Sequence, residues 1–112
     1  MSVDGLWTIE FRVAGGWRHG GVVVFESGRV FGGDRQYYYV GSFSVREDEV
    51  QGQAQITHHS GPVLTAWGAN ARDFRVELRG KRDGDTITGE MWRPEAPEVR
   101  QPIRLIRRAP LP

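Results

Sequence analysis

Apolar and polar residues alternate with a period of two along most of this chain. In the segment 6–13, for example, Trp7, Ile9, Phe11 and Val13 alternate with polar residues. Successive side chains of a β-strand point to opposite faces of the sheet, so the pattern predicts a strand with one buried and one solvated face. An α-helix needs a period near 3.6 residues, and no segment of useful length has it.

The same pattern predicts eight strands, separated mostly by short turns. Ser27-Gly28 and Asp83-Gly84 are typical of hairpin turns, because glycine adopts a positive φ there at low cost. Residues 60–71 form the longest predicted connection. The predicted strands cover residues 6–13, 21–26, 29–31, 37–46, 50–59, 73–79, 85–93 and 103–107.

The length of the chain, 112 residues, suits one domain. Glycine supplies 15 residues and proline 6, and extra glycine without extra proline indicates tight turns rather than a disordered linker. Consecutive strands joined by short turns favour an antiparallel meander, and closing the meander into a barrel removes both exposed edges. We therefore predict an all-β fold, an eight-stranded up-and-down antiparallel β-barrel over residues 1–108 with a short tail over 109–112.

Cysteine is absent, which excludes a disulfide scaffold, a cysteine-bound zinc and a thiol nucleophile. The sequence has neither a basic and apolar leader nor a run of about 18 apolar residues, so we expect a cytoplasmic protein without a membrane partner. The net charge is +1 and the pI is about 8.2. Dedicated nucleic-acid binders usually have a pI above about 9, so no direct nucleic-acid partner is expected.

Two adjacent histidines, His58 and His59, suggest a metal site with His19 as a third ligand. Neighbouring residues of a strand point to opposite faces, so this pair cannot bind one ion from the same side. We expect no metal and no cofactor. The sequence also lacks a nucleophile elbow, a phosphate loop and a metalloprotease motif, so we expect no catalytic residues and no enzyme.

The basic residues and the aromatic residues can each be interpreted in two ways, as a binding site or as ordinary faces of strands. Several basic residues alternate with apolar ones, as the solvated face of a strand does, which favours the ordinary interpretation. The large aromatic residues either pack in the core or line a pocket for a small ligand. The basic set is Arg79, Lys81, Arg82, Arg100, Arg104, Arg107 and Arg108, and the aromatic set is Trp7, Trp17, Trp67, Trp92, Tyr37, Tyr38 and Tyr39.

The opening Gly5-Leu6-Trp7 resembles the Gly-x-Trp motif that begins the first strand of lipocalin-type barrels. In such barrels a late arginine covers the tryptophan. The resemblance therefore implies that Arg104 or Arg107 covers Trp7.

Four segments carry a wider resemblance, which covers most of the chain: Gly5-Leu6-Trp7, Gly28-Arg29-Val30-Phe31-Gly32-Gly33-Asp34, Tyr39-Val40-Gly41-Ser42 and Asp83-Gly84-Asp85-Thr86. With these segments the chain resembles the GrlR-like family of negative regulators of type III secretion. The resemblance implies a lipocalin-like barrel that forms a homodimer and sequesters a helix-turn-helix transcriptional activator through an exposed acidic loop.

In that family the acidic loop is a Glu-Asp-Glu-Asp run after the Tyr-x-Gly strand, and the matching place here reads Arg46-Glu47-Asp48-Glu49. The tract is too charged for a core, so the pattern alone predicts a solvated turn between the fourth and fifth strands. The resemblance implies that Glu47, Asp48 and Glu49 bind the partner. The leading hypothesis is therefore a non-enzymatic regulator that sequesters a transcriptional activator.

The alternative is a carrier of a small hydrophobic ligand, because the interior of an eight-stranded barrel holds either side chains or one such ligand. Its site would have Trp7 at the base and Tyr37, Tyr39 and Phe43 on the wall. The two hypotheses differ in the space that they require. A regulator is compatible with a filled barrel, whereas a carrier needs a cavity.

Overall fold

In the computed structural model, eight antiparallel strands close into a barrel, in which each strand pairs with its neighbours along the chain and β8 pairs with β1. The structure describes residues 2–63 and 72–112, so Trp67 and most of the predicted long connection lie outside the described residues. The strands are β1 (Gly5–Val13), β2 (Gly16–Glu26), β3 (Arg29–Gly33), β4 (Tyr37–Arg46), β5 (Glu49–His58), β6 (Asp73–Asp83), β7 (Thr86–Arg93) and β8 (Ala96–Ala109). The predicted all-β, up-and-down antiparallel β-barrel is confirmed.

The inward positions of all eight strands form one apolar core. The alternation along the sequence places every second side chain inside, and burial of these side chains drives closure of the barrel. The core consists of Val3, Trp7, Ile9, Val23, Phe25, Val30, Tyr37, Tyr39, Val50, Ala54, Ile56, Phe74, Val76, Ile87, Met91, Ile103 and Leu105.

The second strand begins at Gly16 rather than at residue 21, because its hairpin with β1 continues through a β-bulge. The register shifts beside Ile9 and leaves Gly20 as the extra residue. A Cβ atom at Gly20 would lie 2.1 Å from the Phe11 ring, so glycine fits where a larger residue would clash. The bulge interrupts the alternation, which is why the pattern misses the first part of β2.

The eighth strand is also longer than the predicted segment 103–107. It contains Pro97 and Pro102, and proline usually argues against a strand because it has no N–H to donate. Pro102 nevertheless pairs with Glu90 in the β7–β8 ladder. Because of these two prolines, the sequence pattern does not predict the first half of β8.

The up-and-down order places alternate turns at the same end of the barrel. The β2–β3, β4–β5 and β6–β7 turns lie with residues 2–4 at one end, which we call the N-terminal end. The strand ends that the other four connections join lie at the opposite end. Turns that are far apart in the sequence thus become neighbours.

Residues 2–4 lie across the N-terminal end and are held there by side chains of three strands. Each of the three side chains donates a hydrogen bond to a backbone carbonyl, and Val3 is almost fully buried beneath them. The three bonds run from Trp7 Nε1 to Val3 O (2.8 Å), from Arg82 Nη1 to Ser2 O (2.7 Å) and from Arg107 Nη2 to Asp4 O (3.2 Å). The segment therefore closes this end of the barrel.

The arginine over Trp7 is Arg82 of β6, whose guanidinium carbon lies 5.9 Å from the ring centroid. The expectation that Arg104 covers Trp7 is wrong, because Arg104 lies over Trp17 at 4.4 Å. Arg107 is the register partner of Trp7 on β8, and it holds the N-terminal segment as described above.

Candidate partner-binding site

The acidic residues Glu47, Asp48 and Glu49 lie between β4 and β5, but the turn is shorter than predicted. Arg46 pairs with Glu49, so Glu47 and Asp48 alone form the loop and Glu49 begins β5. Glu47 has a φ of 58°, as two-residue hairpin loops require and as few residues other than glycine adopt. Glu47 and Asp48 are exposed, whereas Glu49 is half-buried.

Two of these three carboxylates already face cations of β6. Glu49 forms an ion pair with Arg79, and Asp48 Oδ2 lies 3.6 Å from Lys81 Nζ. The pKa of Glu49 lies below its usual range, mainly because Gln51 donates a hydrogen bond to the carboxylate and also because Arg79 donates a second one. Within residues 2–63 and 72–112, Glu47 takes part in no ion pair.

The β6–β7 turn lies beside the acidic turn and adds two more carboxylates. The backbone N–H of Arg82 donates to Asp48 O at 2.7 Å, which joins the two turns directly. Asp83 and Asp85 are exposed on either side of Gly84, whose φ is 63°. The N-terminal end therefore carries what we call the acidic surface, which consists of Glu47, Asp48, Asp83 and Asp85.

The sequence pattern did not predict that Asp83 and Asp85 contribute to this surface, because it indicated only a hairpin turn at Asp83-Gly84. Alternation assigns each residue to a face of the sheet but does not say which turns lie side by side. The predicted up-and-down topology does contain this information, because it places the β4–β5 and β6–β7 turns at the same end of the barrel.

A groove of about 420 Å³ runs along the outer face of β5, β6 and β7 next to the acidic turn. Its charged lining contains three carboxylates and two cations, and Thr88 adds a hydroxyl group. The charged residues are Asp48, Glu49, Glu90, Arg79 and Lys81. The groove can thus accept polar or charged side chains of a partner.

Of the four residues of the alternative pocket, Trp7, Tyr37 and Tyr39 belong to the barrel core and Phe43 packs against it, but the four lie near different ends. Trp7 and Phe43 both pack edge-on against Phe25. The centroid of the Phe25 ring lies 5.8 Å from that of Trp7 and 4.8 Å from that of Phe43. Tyr37 lies towards the other end and packs against Phe74 at 6.2 Å. These aromatic rings fill the interior instead of lining one shared pocket.

Tyr39, the fourth of these residues, is engaged through its hydroxyl group. The hydroxyl donates to Asp34 Oδ2, while Asp34 Oδ1 accepts backbone N–H bonds from Gln36 and Tyr37, each at 2.8 Å. Burial, together with the neighbouring Asp34 carboxylate, raises the pKa of Tyr39 far above its usual value. The hydroxyl therefore stays protonated and holds the β3–β4 turn.

Among the described residues, the apolar core leaves a partly open pocket of about 50 Å³, lined by apolar side chains together with Tyr39. Pockets that hold small ligands usually measure roughly 300–1,000 Å³. The described part of the interior is therefore filled by the protein's own side chains, as is common for small barrels.

His58 and His59 contact backbone groups near the end opposite the acidic surface, whereas His19 Nδ1 lies 3.7 Å from Glu10 Oε2. His58 Nε2 lies 2.8 Å from Gly61 O, and His59 Nε2 lies 3.1 Å from Asp34 O. Among the described residues, no group of three or more His, Cys, Asp or Glu is placed to hold a metal ion.

The basic residues of the sequence analysis do not gather into one patch. Arg82 and Arg107 hold the N-terminal segment, and Arg79 and Lys81 face the acidic turn. The remaining three lie on β8, where Arg100 stacks on Trp92, Arg104 binds Glu10 and Arg108 binds Thr8.

The chain matches no model of a known protein family, and a search of curated proteins also finds no match. Within the part of the chain that the structure covers, no helix has the length and apolar character needed to cross a membrane.

Proposed function

We propose that this protein is a non-enzymatic regulator that binds a basic surface of a transcriptional activator through Glu47, Asp48 and Glu49. The resemblance to the GrlR-like family implies the partner class, a helix-turn-helix activator, and a homodimer, and the proposal puts the protein in the cytoplasm. The proposal requires no metal, no cofactor and no direct contact with nucleic acid.

The observation that carries the proposal is that side chains fill the interior in the described part of the barrel. A carrier of a hydrophobic ligand would need a cavity several times larger than the 50 Å³ found among the core side chains. The barrel therefore does not favour the carrier function, and we propose that the protein acts through its outer surface.

The charges of the acidic turn are accessible to a partner. Glu47 and Asp48 are exposed, and the contacts of Asp48 with Lys81 and of Glu49 with Arg79 are surface ion pairs. Such pairs contribute little to stability, because solvent screens them and long side chains lose freedom in forming them. An arginine or lysine of a partner can therefore replace Lys81 or Arg79 at small cost.

The turn is also held in one conformation before any partner arrives. It connects two strands of a closed barrel, and Arg82 N–H fixes its backbone at Asp48 O. A preorganised surface loses little conformational entropy on binding. Complementary charge then sets the orientation and the association rate more than the affinity, so binding should weaken as salt is added.

The test is quantitative capture from cells of the protein's own source, with the purified chain as bait and mass spectrometry as the readout. Three baits are compared: the wild type, a triple variant with Glu47, Asp48 and Glu49 replaced by alanine, and a control. The control variant replaces Asp73, Glu95 and Glu98 by alanine, which removes three exposed carboxylates at the opposite end. All three baits are first shown by circular dichroism to be folded.

We expect the wild type and the control to capture the same DNA-binding protein. The acidic-turn variant should capture at least about tenfold less of it, which corresponds to about 1.4 kcal/mol of binding free energy. Equal capture by both variants would show that Glu47, Asp48 and Glu49 do not form the binding site.

A further inference from the structure

Two arginines, Arg82 of β6 and Arg107 of β8, each hold a residue of the acidic surface through their own backbone. The N–H of Arg82 donates to Asp48 O at 2.7 Å, and the N–H of Arg107 donates to Asp85 O at 2.8 Å. In each case the bond lies one position beyond the last register pair of the ladder between the two strands. Strand ends fray locally at low free-energy cost, so such bonds open readily unless other contacts hold them.

The side chains of the same two arginines hold the N-terminal segment, residues 2–4. Arg82 Nη1 donates to Ser2 O at 2.7 Å, and Arg107 Nη2 donates to Asp4 O at 3.2 Å. The segment is therefore connected to both turns of the acidic surface, to the β4–β5 turn by way of Arg82 and to the β6–β7 turn by way of Arg107.

The position of each guanidinium group depends on this segment, because no carboxylate holds it. Within residues 2–63 and 72–112, neither Arg82 nor Arg107 takes part in an ion pair. Arg82 otherwise contacts Gly84 O of its own turn and the ring of Trp7. Arg107 Nε is buried without a hydrogen-bond partner among the described residues. A buried unpaired donor costs free energy, and the bond of Arg107 to the segment offsets part of this cost.

The N-terminal segment is itself anchored away from the acidic surface. Val3 is 1% exposed and belongs to the core, and the Asp4 carboxylate accepts the backbone N–H of Ser27 in the β2–β3 turn. The next residue is Gly5, where a Cβ atom would lie 2.9 Å from Arg107 Nε, so glycine leaves room for the guanidinium group. The segment is thus a fixed support to which both arginines are attached.

We propose that Arg82 and Arg107 are positioning residues for the acidic surface. The N-terminal segment holds their guanidinium groups, their backbones fix Asp48 and Asp85, and release of the segment loosens both turns together. Loosened turns must be ordered again when a partner binds, which costs conformational entropy. In its effect on a partner, the inference rests on the proposed function.

Amide hydrogen exchange, followed residue by residue by NMR spectroscopy, tests this coupling without any partner. The readouts are the N–H groups of residues 82 and 107, which donate the bonds to the two turns. Amides at the centres of the strands are the reference, because they exchange through global unfolding. Arg82→Met removes one guanidinium group. Arg75→Met is the matched control, since Arg75 is an exposed arginine at the other end of β6.

We expect Arg82→Met to accelerate exchange at residues 82 and 107 at least about tenfold relative to the reference amides, and Arg75→Met to change neither. The effect at residue 107 is the more informative, because this residue lies two strands away and shares the segment with Arg82. Val3→Gly loosens the segment without changing either arginine and should accelerate the same two amides together.

Two results of the exchange experiment would overturn the proposal. Equal acceleration of all slowly exchanging amides would show that Arg82 contributes only to global stability. Acceleration confined to residue 82 in the Arg82→Met protein would show that the two turns are independent of each other.

Partner binding provides a second test, because charge and position predict opposite effects of Arg82→Met. Removal of a cation beside the acidic surface makes this surface more negative, which by charge alone strengthens the binding of a basic partner. Loosened turns weaken binding instead. In the capture assay described above, we expect Arg82→Met to capture at least about threefold less of the DNA-binding protein than the wild type and Arg75→Met.

Equal or stronger capture by Arg82→Met would overturn the positioning role. The proposed function fails by a different result, namely equal capture by the wild type and the variant that lacks Glu47, Asp48 and Glu49. In that case the exchange experiment still decides whether the segment and the two turns are coupled.

Discussion

Arg104 donates a hydrogen bond from Nε to Oε1 of Glu10 at 2.8 Å and so joins β8 to β1 at the seam that closes the barrel. Glu10 is only 7% exposed, and Arg104 also stacks on Trp17. A buried carboxylate must be paired, because the loss of its partner leaves an uncompensated charge. The pair therefore stabilises the closed form of the sheet.

Replacing Arg104 by methionine should lower the free energy of unfolding by about 2–3 kcal/mol, since Glu10 would lose its hydrogen bond. The matched change Arg108→Met removes an exposed guanidinium of the same strand, which binds Thr8, and should cost less than about 1 kcal/mol. Urea unfolding of the three proteins at neutral pH measures both changes. An equal decrease in the free energy of unfolding for both variants would mean that the pair of Arg104 with Glu10 stabilises the barrel no more than an exposed contact does.

The same pair predicts a pH dependence. The hydrogen bond from Arg104 lowers the pKa of Glu10 below its usual value of 4.5 in the folded protein. The unfolded chain therefore takes up this proton at higher pH than the folded one. The resulting stabilisation is complete above the unfolded pKa and is lost as the pH falls through the folded pKa.

Glu10→Gln is the variant that isolates this effect. The difference in unfolding free energy between the wild type and Glu10→Gln should be largest near neutral pH and shrink below about pH 4.5. Urea midpoints collected at several pH values between about 7 and 3 measure the trend. A difference that stays constant over this range would mean that Glu10 has an ordinary pKa.

Alternation predicted the barrel because burial of every second side chain dominates the energetics of a strand. It could not predict register, which depends on turn length and on bulges such as the one at Gly20. The pairing of Glu49 with Arg79 therefore emerged only from the structure, since these residues are thirty positions apart. Arg82 was assigned to a solvated face for the same reason, although it covers Trp7.

The closure of the N-terminal end depends on Trp7, whose indole N–H binds Val3 O and whose ring is fully buried. Trp7→Phe should lower the free energy of unfolding by about 2–4 kcal/mol, because it leaves the carbonyl unpaired and opens a cavity. Trp92→Phe, at a half-buried position, is the control and should cost less than half as much. Thermal unfolding measures both variants, and similar losses would argue against a special role of the N-terminal segment.

Close backbone approach explains one of the strand glycines. A Cβ atom at Gly41 would lie 1.8 Å from the carbonyl oxygen of Gln53 on β5, which cannot move without breaking the ladder. We expect Gly41→Ala to lower the free energy of unfolding by about 1–3 kcal/mol, whereas Ser42→Ala on the outer face should change it by less than about 0.5 kcal/mol. Chemical denaturation provides the comparison, and a fully stable Gly41→Ala protein would contradict the close approach.

The central claim is that the barrel is a filled scaffold that acts through its outer surface, and native mass spectrometry of the gently purified protein tests it most directly. We predict that each 12.7 kDa chain carries no small-molecule adduct, whether the protein sprays as a monomer or as a dimer. A stoichiometric hydrophobic adduct that survives repeated purification would contradict the account and favour a carrier.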